Sequence, residues 1–358
     1  MKRLVAVSGL LLLFLFVLPL FFFKEPALLS AHDASPSPEE PPSPMQSPSP
    51  APPLLVVPHN TVAPIDTDGD VALQIRVLVD GEVRLMCMRD YLFCVLAAEM
   101  PASFPEEALR AQAVAARTYA EYKMFEARRA DVTSVHPDAD VCDQHTHCKA
   151  FMAREEARNA WGDKADVYTD VLERVIRDTD SQVVLYDEEP IVAVFHAASA
   201  GQTERAADVW GGDLPYLQSV ASPGETASPQ FYGTVRVPLD DFKQTLAEAY
   251  PDIALEGDAS AWIGAAARSE AGGVLSLTVG GVSIPGTILR TLFALRSAHL
   301  TLRIEGGEAV FETEGYGHGV GLSQYGARAL ALEGKNYVEI LQWYYTGVIV
   351  SSFIPSFT

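Results

Sequence analysis

Residues 4–23, LVAVSGLLLLFLFVLPLFFF, carry no charge, and that run decides which part of the chain can form a globular core. At about 1.5 Å of rise per residue, roughly 20 apolar residues span the hydrocarbon of a bilayer. Lys2 and Arg3 precede the run, a flank that favours a cytoplasmic N-terminus and an external remainder. A cleaved signal peptide is the competing reading. Against it, the run is long for such a peptide and the small-residue pattern around Leu29 to Ala31 is poor. The expectation is a membrane anchor over residues 1–24, single-pass in the cell membrane, with the folded part on the extracytoplasmic side. The following stretch, SPSPEEPPSPMQSPSPAPPLLVVP, is more than half proline and serine. Such density gives an extended spacer rather than packed structure. Residues 25–70 are therefore read as linker and residues 71–358 as the folded domain.

The chain as a whole is 48% hydrophobic and 20% charged, which supports a packed core. Its net charge of −21 argues against nucleic acid as a partner, because phosphate binding needs clustered cations. VALQIRVLVDGEVRLMCM predicts two strands joined at Asp80-Gly81, a strong hairpin signal. Asp90 is placed to cap a short helix that stops at Pro101. Ser103 and Glu106 then form a candidate capping box around Pro105, ahead of a long helix, EEALRAQAVAARTYAEYKMFEARR. Leu109, Ala113, Ala116 and Ala120 give that helix a small-residue face. Beyond residue 165 strands dominate: QVVLYDEEPIVAVFHAAS, VLSLTVGGVSIPG and LTLRIEGGEAVFE read as hairpins. Two short helices close the chain, Gly334 stopping the first. Helices early and strands later predict an α+β architecture, with a long substrate groove and an inserted metal-bound loop.

One carboxylate is unusually placed. Glu99 stands between Ala97-Ala98 and Met100-Pro101, where the first helix ends. The negative end of a helix dipole disfavours an anion by some tenths of a kcal/mol, about 1 when exposed. Apolar neighbours would add desolvation, and both effects raise the pKa of a carboxylic acid. A carboxyl group kept protonated near neutral pH is what cleavage of a glycosidic bond requires. An ordinary solvated glutamate is the alternative.

VHPDADVCDQHTHCKAF gathers His136, Cys142, His145, His147 and Cys148 into thirteen residues. Two thiolates and two imidazoles complete a tetrahedral zinc site with no open position, so such a metal would staple the loop rather than catalyse. A Cys142–Cys148 disulfide and free thiols are the alternatives. Cys87 and Cys94 sit in apolar settings as core thiols, with a bridge between them also open.

The run YLFCVLAAEMPASFPEEALRAQAVAARTYA, Tyr91 to Ala120, resembles the signature of the stage II sporulation protein D family, which includes the amidase enhancers. PIVAVFHAASAGQT, VWGGDLPYLQSV, GYGHGVGLSQYGARALALEG and NYVEILQWYYTGV continue the resemblance in the expected order across nearly the whole folded domain. The resemblance implies a lytic transglycosylase that cuts peptidoglycan glycan strands, stripped of stem peptides, to 1,6-anhydro-muramic ends during engulfment in sporulation. It implies partnership with a membrane-anchored amidase and a membrane scaffold protein. A wall-binding enhancer of an amidase that does not itself cut glycan is the alternative function. The glutamate of the family's E-M-P segment is the catalytic acid, which here is Glu99. One such group suffices, because the substrate's own C6 hydroxyl replaces water as the attacking group. Glu107 is a secondary carboxylate candidate, although its first-turn position already explains it. For the metal, the resemblance implies structural zinc on His136, Cys142, His147 and Cys148, with His145 spare.

The groove walls follow from the remaining blocks. GYGHGVG alternates glycine with larger residues, which lets backbone approach a ligand closely; no Lys-Ser/Thr follows it, so it is not a phosphate loop. His318, Ser323, Gln324 and Tyr325 are candidate sugar contacts from this segment. Trp210 and Tyr216 offer aromatic faces. His196 and Ser199 belong to a block the family sets beside its groove, where HAASAG departs from the commoner H-A-S-S-G-G at Ala198 and Ala200. Arg117 and Tyr119, on the long helix, complete the candidates; Arg117 is a partner for a substrate carboxylate or for orienting Glu99, with an ordinary surface helix arginine as the alternative.

Overall fold

The computed structural model describes residues 69–127, 136, 138–144 and 147–352. The anchor and residues 25–68 of the linker read from the sequence lie outside the described residues, as does His145. Gly69 and Asp70, read as the end of that linker, belong instead to the first helix of the folded domain, where Asp70 is buried. No helix among the described residues is long and apolar enough to cross a membrane.

A short helix, α1 (Gly69–Ala72), leads into β1 (Gln74–Val79) and β2 (Glu82–Cys87), an antiparallel pair. The turn between them falls at Asp80-Gly81, both with left-handed φ, 53° and 83°, as a two-residue hairpin loop of this type demands. Helix α2 (Met88–Glu99) starts directly after β2, with Cys87 at its N-cap. The expected cap, Asp90, instead lies inside the first turn, where it accepts from Cys87 Sγ at 3.3 Å and complements the positive end of the helix. Pro101 then prevents continuation, as expected.

Helix α3 (Glu106–Glu126) is buried at 14 of its 21 residues, so it has no solvent face of ordinary width. The capping box expected from Ser103 and Glu106 does not form. Pro105 occupies the cap position without a side-chain bond, and Glu106 pairs with Arg174 at 2.6 Å and Arg110 at 2.9 Å. Tertiary charge pairing overrides local capping here.

After α3 the chain forms β3 (Val141–Cys142), which pairs in parallel with β1, then α4 (Arg154–Trp161) and α5 (Ala165–Asp178). β4 (Gln182–Tyr186) and β5 (Glu189–Pro190) make the expected hairpin, but it ends after two pairs. The chain turns away to β6 (Phe195–His196) and α6 (Ala206–Trp210).

Residues 231–314 build a second layer. β7 (Tyr232–Pro238), α7 (Leu239–Ala249), β8 (Ile263–Arg268), β9 (Val274–Val279), β10 (Val282–Pro285), α8 (Gly286–Leu292), β11 (Leu300–Glu305) and β12 (Glu308–Glu314) form two three-stranded sheets, ordered β10-β9-β8 and β11-β12-β7. They enclose their own core, in which Phe242 stacks on Phe293 with ring centres 5.4 Å apart. The chain then returns to the main body through β13 (Leu322–Ser323), parallel to β6, α9 (Gln324–Leu332), α10 (Tyr337–Tyr344) and β14 (Ile349–Ser352) on β4. The architecture is α+β. The small-residue face of α3 lies at its centre, with Leu109, Ala113, Ala116 and Ala120 wholly buried among α2, α5, α9, α10 and β4.

Burying α3 all round leaves Arg117 in the core, and it corrects the reading of that residue as a substrate contact. Its side chain is 0% exposed. Nε and Nη2 clasp Asp70 of α1 at 2.8 and 2.6 Å, and Nη1 donates to Gln182 O at 3.0 Å. Such a group reaches neither ligand nor Glu99. It ties the start of the domain to its centre. Removing one member of a buried pair strands the other charge, so Arg117→Ala is expected to destabilise the domain by about 3–5 kcal/mol in urea unfolding. A loss below about 1 kcal/mol would contradict this role.

Candidate active site and metal centre

Glu99 is the last residue of α2 and is half-buried. Its carboxyl group does not lie on a bare apolar floor. Ala150 N–H donates to Oε1 at 2.8 Å, and the buried Lys149 ammonium is close enough for Glu99 to act on it electrostatically. Lys149 Nζ sits 3.6 Å from the centre of the Phe195 ring and 4.3 Å from that of Tyr119, faces that attract a cation. Burial lowers its pKa to about 8, while Glu99 works in the opposite direction. The sequence reading missed Lys149. Its place directly after Cys148 was visible, but its partner stands 50 residues earlier.

The segment carrying Lys149 and Ala150 is held at its other end by the His/Cys cluster. Ligand atoms of His136, Cys142, His147 and Cys148 all lie within 4.8 Å of one another. His136 Nε2 is 3.0 Å from His147 Nδ1, and His147 Nδ1 is 3.5 and 3.3 Å from Cys142 and Cys148 Sγ. Bonds of about 2.0 Å to nitrogen and 2.3 Å to sulfur place tetrahedral ligand atoms about 3.3–3.8 Å apart. The donor set suits one ion, and the atoms, 3.0 to 4.8 Å apart, would need small side-chain shifts to close around it. None of the four cysteines is joined in a disulfide; Cys94 is buried, as read from the sequence, while Cys87 is half-buried. The loop is also stitched to the first hairpin. Asp140 pairs with Arg76 at 2.8 Å, and Asp80 N–H donates to Asp143 at 3.0 Å. Tyr119 reaches the loop from α3, its hydroxyl donating to His147 O at 3.4 Å, so it supports the loop rather than facing a groove.

The glycine segment packs on β6 as the sequence implied. Gly317 has φ 119°, and a Cβ there would stand 2.6 Å from His196 Cβ; at Gly321 it would stand 2.3 Å from Val194 O. This close approach fixes two histidines side by side, ring centres 5.5 Å apart. His196 Nδ1–H donates to Val320 O at 3.1 Å, and Nε2 accepts from Ser199 Oγ at 2.7 Å. Burial pushes its pKa down to about 4, so the ring is neutral. His318 is equally fixed: Nε2–H donates to Phe195 O at 3.1 Å, and Nδ1 accepts from Val320 N–H at 3.1 Å. Burial and the neighbouring His196 hold its pKa well below the usual range. Neither imidazole is a proton carrier near neutral pH.

His318 is also the hinge between two surfaces. One side faces Phe195 and hence Lys149; on the other, the Trp210 ring centre is 5.1 Å away. Trp210 is 50% exposed, and with His318, Ser199 and Glu204 it lines a pocket of about 250 Å³ bounded by Arg290 of α8. Glu99 is not among the residues that line this pocket. The other candidates divide clearly. Tyr325 packs edge-on against Phe104, at 5.2 Å, in the turn that follows Glu99. Ser323 is wholly buried and caps α9 by accepting from Gly326 N–H, and Gln324 is buried beside it. Tyr216 is buried, its hydroxyl accepting from Val192 N–H at 3.3 Å. Glu107 accepts from Tyr337 N–H at 2.7 Å and pairs with Arg110. These last four serve the scaffold, which corrects the sugar contacts and second carboxylate expected of them. Glu225, which the sequence reading passed over, is buried with Ser222, and burial raises its pKa to about 7.

Comparison with known proteins adds independent findings. A family model described as stage II sporulation protein matches residues 81–186. Stage II sporulation protein D of Bacillus amyloliquefaciens is 30% identical over 284 residues, 79% of this chain and 80% of that protein. The protein of the same name from Bacillus subtilis (strain 168) is 30% identical over 282 residues, 78% and 79% of the two chains. The amidase enhancer of Bacillus subtilis (strain 168) is 26% identical over 308 residues, covering 72% of this chain and 40% of that protein.

Proposed function

The chain belongs to the stage II sporulation protein D family, and from that premise we propose that it is a peptidoglycan lytic transglycosylase with Glu99 as its acid and base. The observation that carries the reading is the fixed carboxyl group: Glu99 ends α2, and Ala150 N–H engages Oε1 at 2.8 Å. The protonated carboxyl group of Glu99 protonates the oxygen that leaves C1 of a muramic residue. The resulting carboxylate then takes the proton of that residue's C6 hydroxyl as O6 bonds to C1. The glycan ends in 1,6-anhydro-muramic acid, Glu99 regains its proton, and no water is consumed. Lys149, beside Glu99, supports the transient carboxylate. General acid–base help of this kind is worth about 10²–10⁴-fold in rate.

The His136, Cys142, His147 and Cys148 cluster is proposed to hold one structural zinc ion. With all four positions filled by protein, the ion supplies no activated water and acts by fixing the loop that delivers Ala150 and Lys149. The apolar N-terminal run and proline-rich stretch are proposed to tether the domain outside the cell membrane, where a membrane-anchored amidase and a scaffold protein would act beside it during engulfment.

Two measurements test these assignments. On denuded glycan strands, mass spectrometry is expected to show anhydro-muramic ends that fall by about 10²-fold or more in Glu99→Gln. Unchanged cutting by that variant, or reducing ends from the native protein, would contradict the mechanism; no cutting by the native protein alongside stimulation of an amidase would favour the wall-binding alternative. For the metal, elemental analysis is expected to give about one zinc per chain, lost in Cys142→Ser together with Cys148→Ser. Four reactive thiols and no metal in the untreated protein would end that proposal.

A further inference from the structure

The pocket behind His318 contains a cation that nothing in the fold accounts for. Arg290 lies on α8 with Thr287 and Thr291 on the same helix face, and all three line the pocket. No hydrogen bond from its guanidinium is present among the described residues, and no carboxylate there stands within the 4.0 Å of an ion pair. Burial lowers its pKa, offset only by Tyr316, yet an arginine side chain does not lose its proton in a protein. Other arginines that are largely withdrawn from water are paired: Arg117 with Asp70 and Arg110 with three carboxylates. An unpaired, partly desolvated guanidinium facing a cavity is built for an anion that arrives with a ligand.

The other walls say what else that ligand carries. Trp210 offers a half-exposed ring, suited to the apolar face of a sugar. Glu204, held by Gly273 N–H at 3.0 Å, and Asp208, half a turn before Trp210, are acceptors for hydroxyl donors. A free anion without hydroxyl groups would be repelled by those two carboxylates, whereas a hydroxylated ring bearing one acid satisfies both kinds of wall. We propose that Arg290 receives the lactyl carboxylate of a muramic acid residue whose stem peptide has been removed. This rests on the reading of the protein as one that binds peptidoglycan glycan.

The chemistry sets an order of events. While a peptide is attached, the lactyl group is a neutral amide with a bulky substituent, and it offers no charge to Arg290. Hydrolysis of that amide bond, with water adding to the carbonyl and the peptide leaving as an amine, exposes the carboxylate. This is the order that the family resemblance already implies, an amidase before the glycan is cut; what Arg290 adds is the group that reads its product. Arg290 is in this account a specificity determinant rather than a catalytic residue.

Calorimetric binding of GlcNAc–MurNAc tetrasaccharides to the full chain carrying Glu99→Gln, which prevents turnover, tests this directly. Two ligands are compared, one with free lactyl carboxylates and one with the same groups as carboxamides. Charge-assisted hydrogen bonds predict a preference of about 10–100-fold for the carboxylate form. Arg290→Gln is expected to bring that ratio close to one while leaving carboxamide binding within about threefold, and Arg290→Lys to retain part of it. Equal affinity for both ligands before Arg290 is changed would overturn the proposal and leave glycan binding standing. A preference that survives Arg290→Gln would also overturn it. Binding of neither ligand would instead reject the underlying glycan reading.

Discussion

Alanine side chains on α3 set the spacing of the main body. Ala108, Ala111, Ala113, Ala115, Ala116 and Ala120 are wholly buried, and only side chains this small let α2, α5, α9, α10 and β4 all rest against one helix. The arrangement has a cost. Polar residues on the same helix lose water. Gln112 is buried without a hydrogen-bond partner among the described residues, whereas those that find partners inside tie the helix to its surroundings. Thr118 does so by donating to Val114 O and accepting from Val184 N–H at 2.9 Å. Arg117 does so through Asp70, which in turn requires α1 to stay docked. The domain's N-terminal edge and its central helix are therefore one cooperative unit.

That scaffold brings the end of α2 against the loop that follows α3. The loop is fixed twice: by the four His/Cys groups at one end, and by Met152 N–H to Cys94 O at 3.0 Å at the other. Between the two anchors lie Lys149 and Ala150, the residues that meet Glu99. Fixing a short segment at both ends lowers the freedom it loses when Glu99 is engaged, so under the proposed function the His/Cys cluster would contribute through geometry alone. The second layer contributes the opposite wall of the Trp210 pocket, so the two walls of that pocket rest on two separate hydrophobic cores.

The local signals in the sequence were sound where backbone chemistry decides the outcome. Asp80-Gly81, Gly280-Gly281 and Gly306-Gly307 all turn hairpins with left-handed φ, and Pro101 ends α2. The His/Cys cluster was legible because its members are crowded into one loop. What escaped depends on partners far along the chain. Arg117 looked like a partner for substrate or for Glu99 because its true partner, Asp70, is 47 residues away; Glu106 looked like a capping residue because Arg174 is 68 away. Ser323, Gln324 and Tyr216 have the chemistry of sugar contacts, but the fold spends them internally. Lys149 and Arg290 gained meaning only once burial and the absence or presence of a neighbouring charge were known.

The central claim is that Glu99, held by Ala150, delivers a proton to a glycosidic oxygen. A crystal structure of Glu99→Gln with a bound GlcNAc–MurNAc oligosaccharide examines it most directly. The account predicts a bridging oxygen at C1 of a muramic residue within about 2.6–3.2 Å of the residue 99 side chain. An oligosaccharide ordered on the protein with every glycosidic oxygen remote from residue 99 would contradict it.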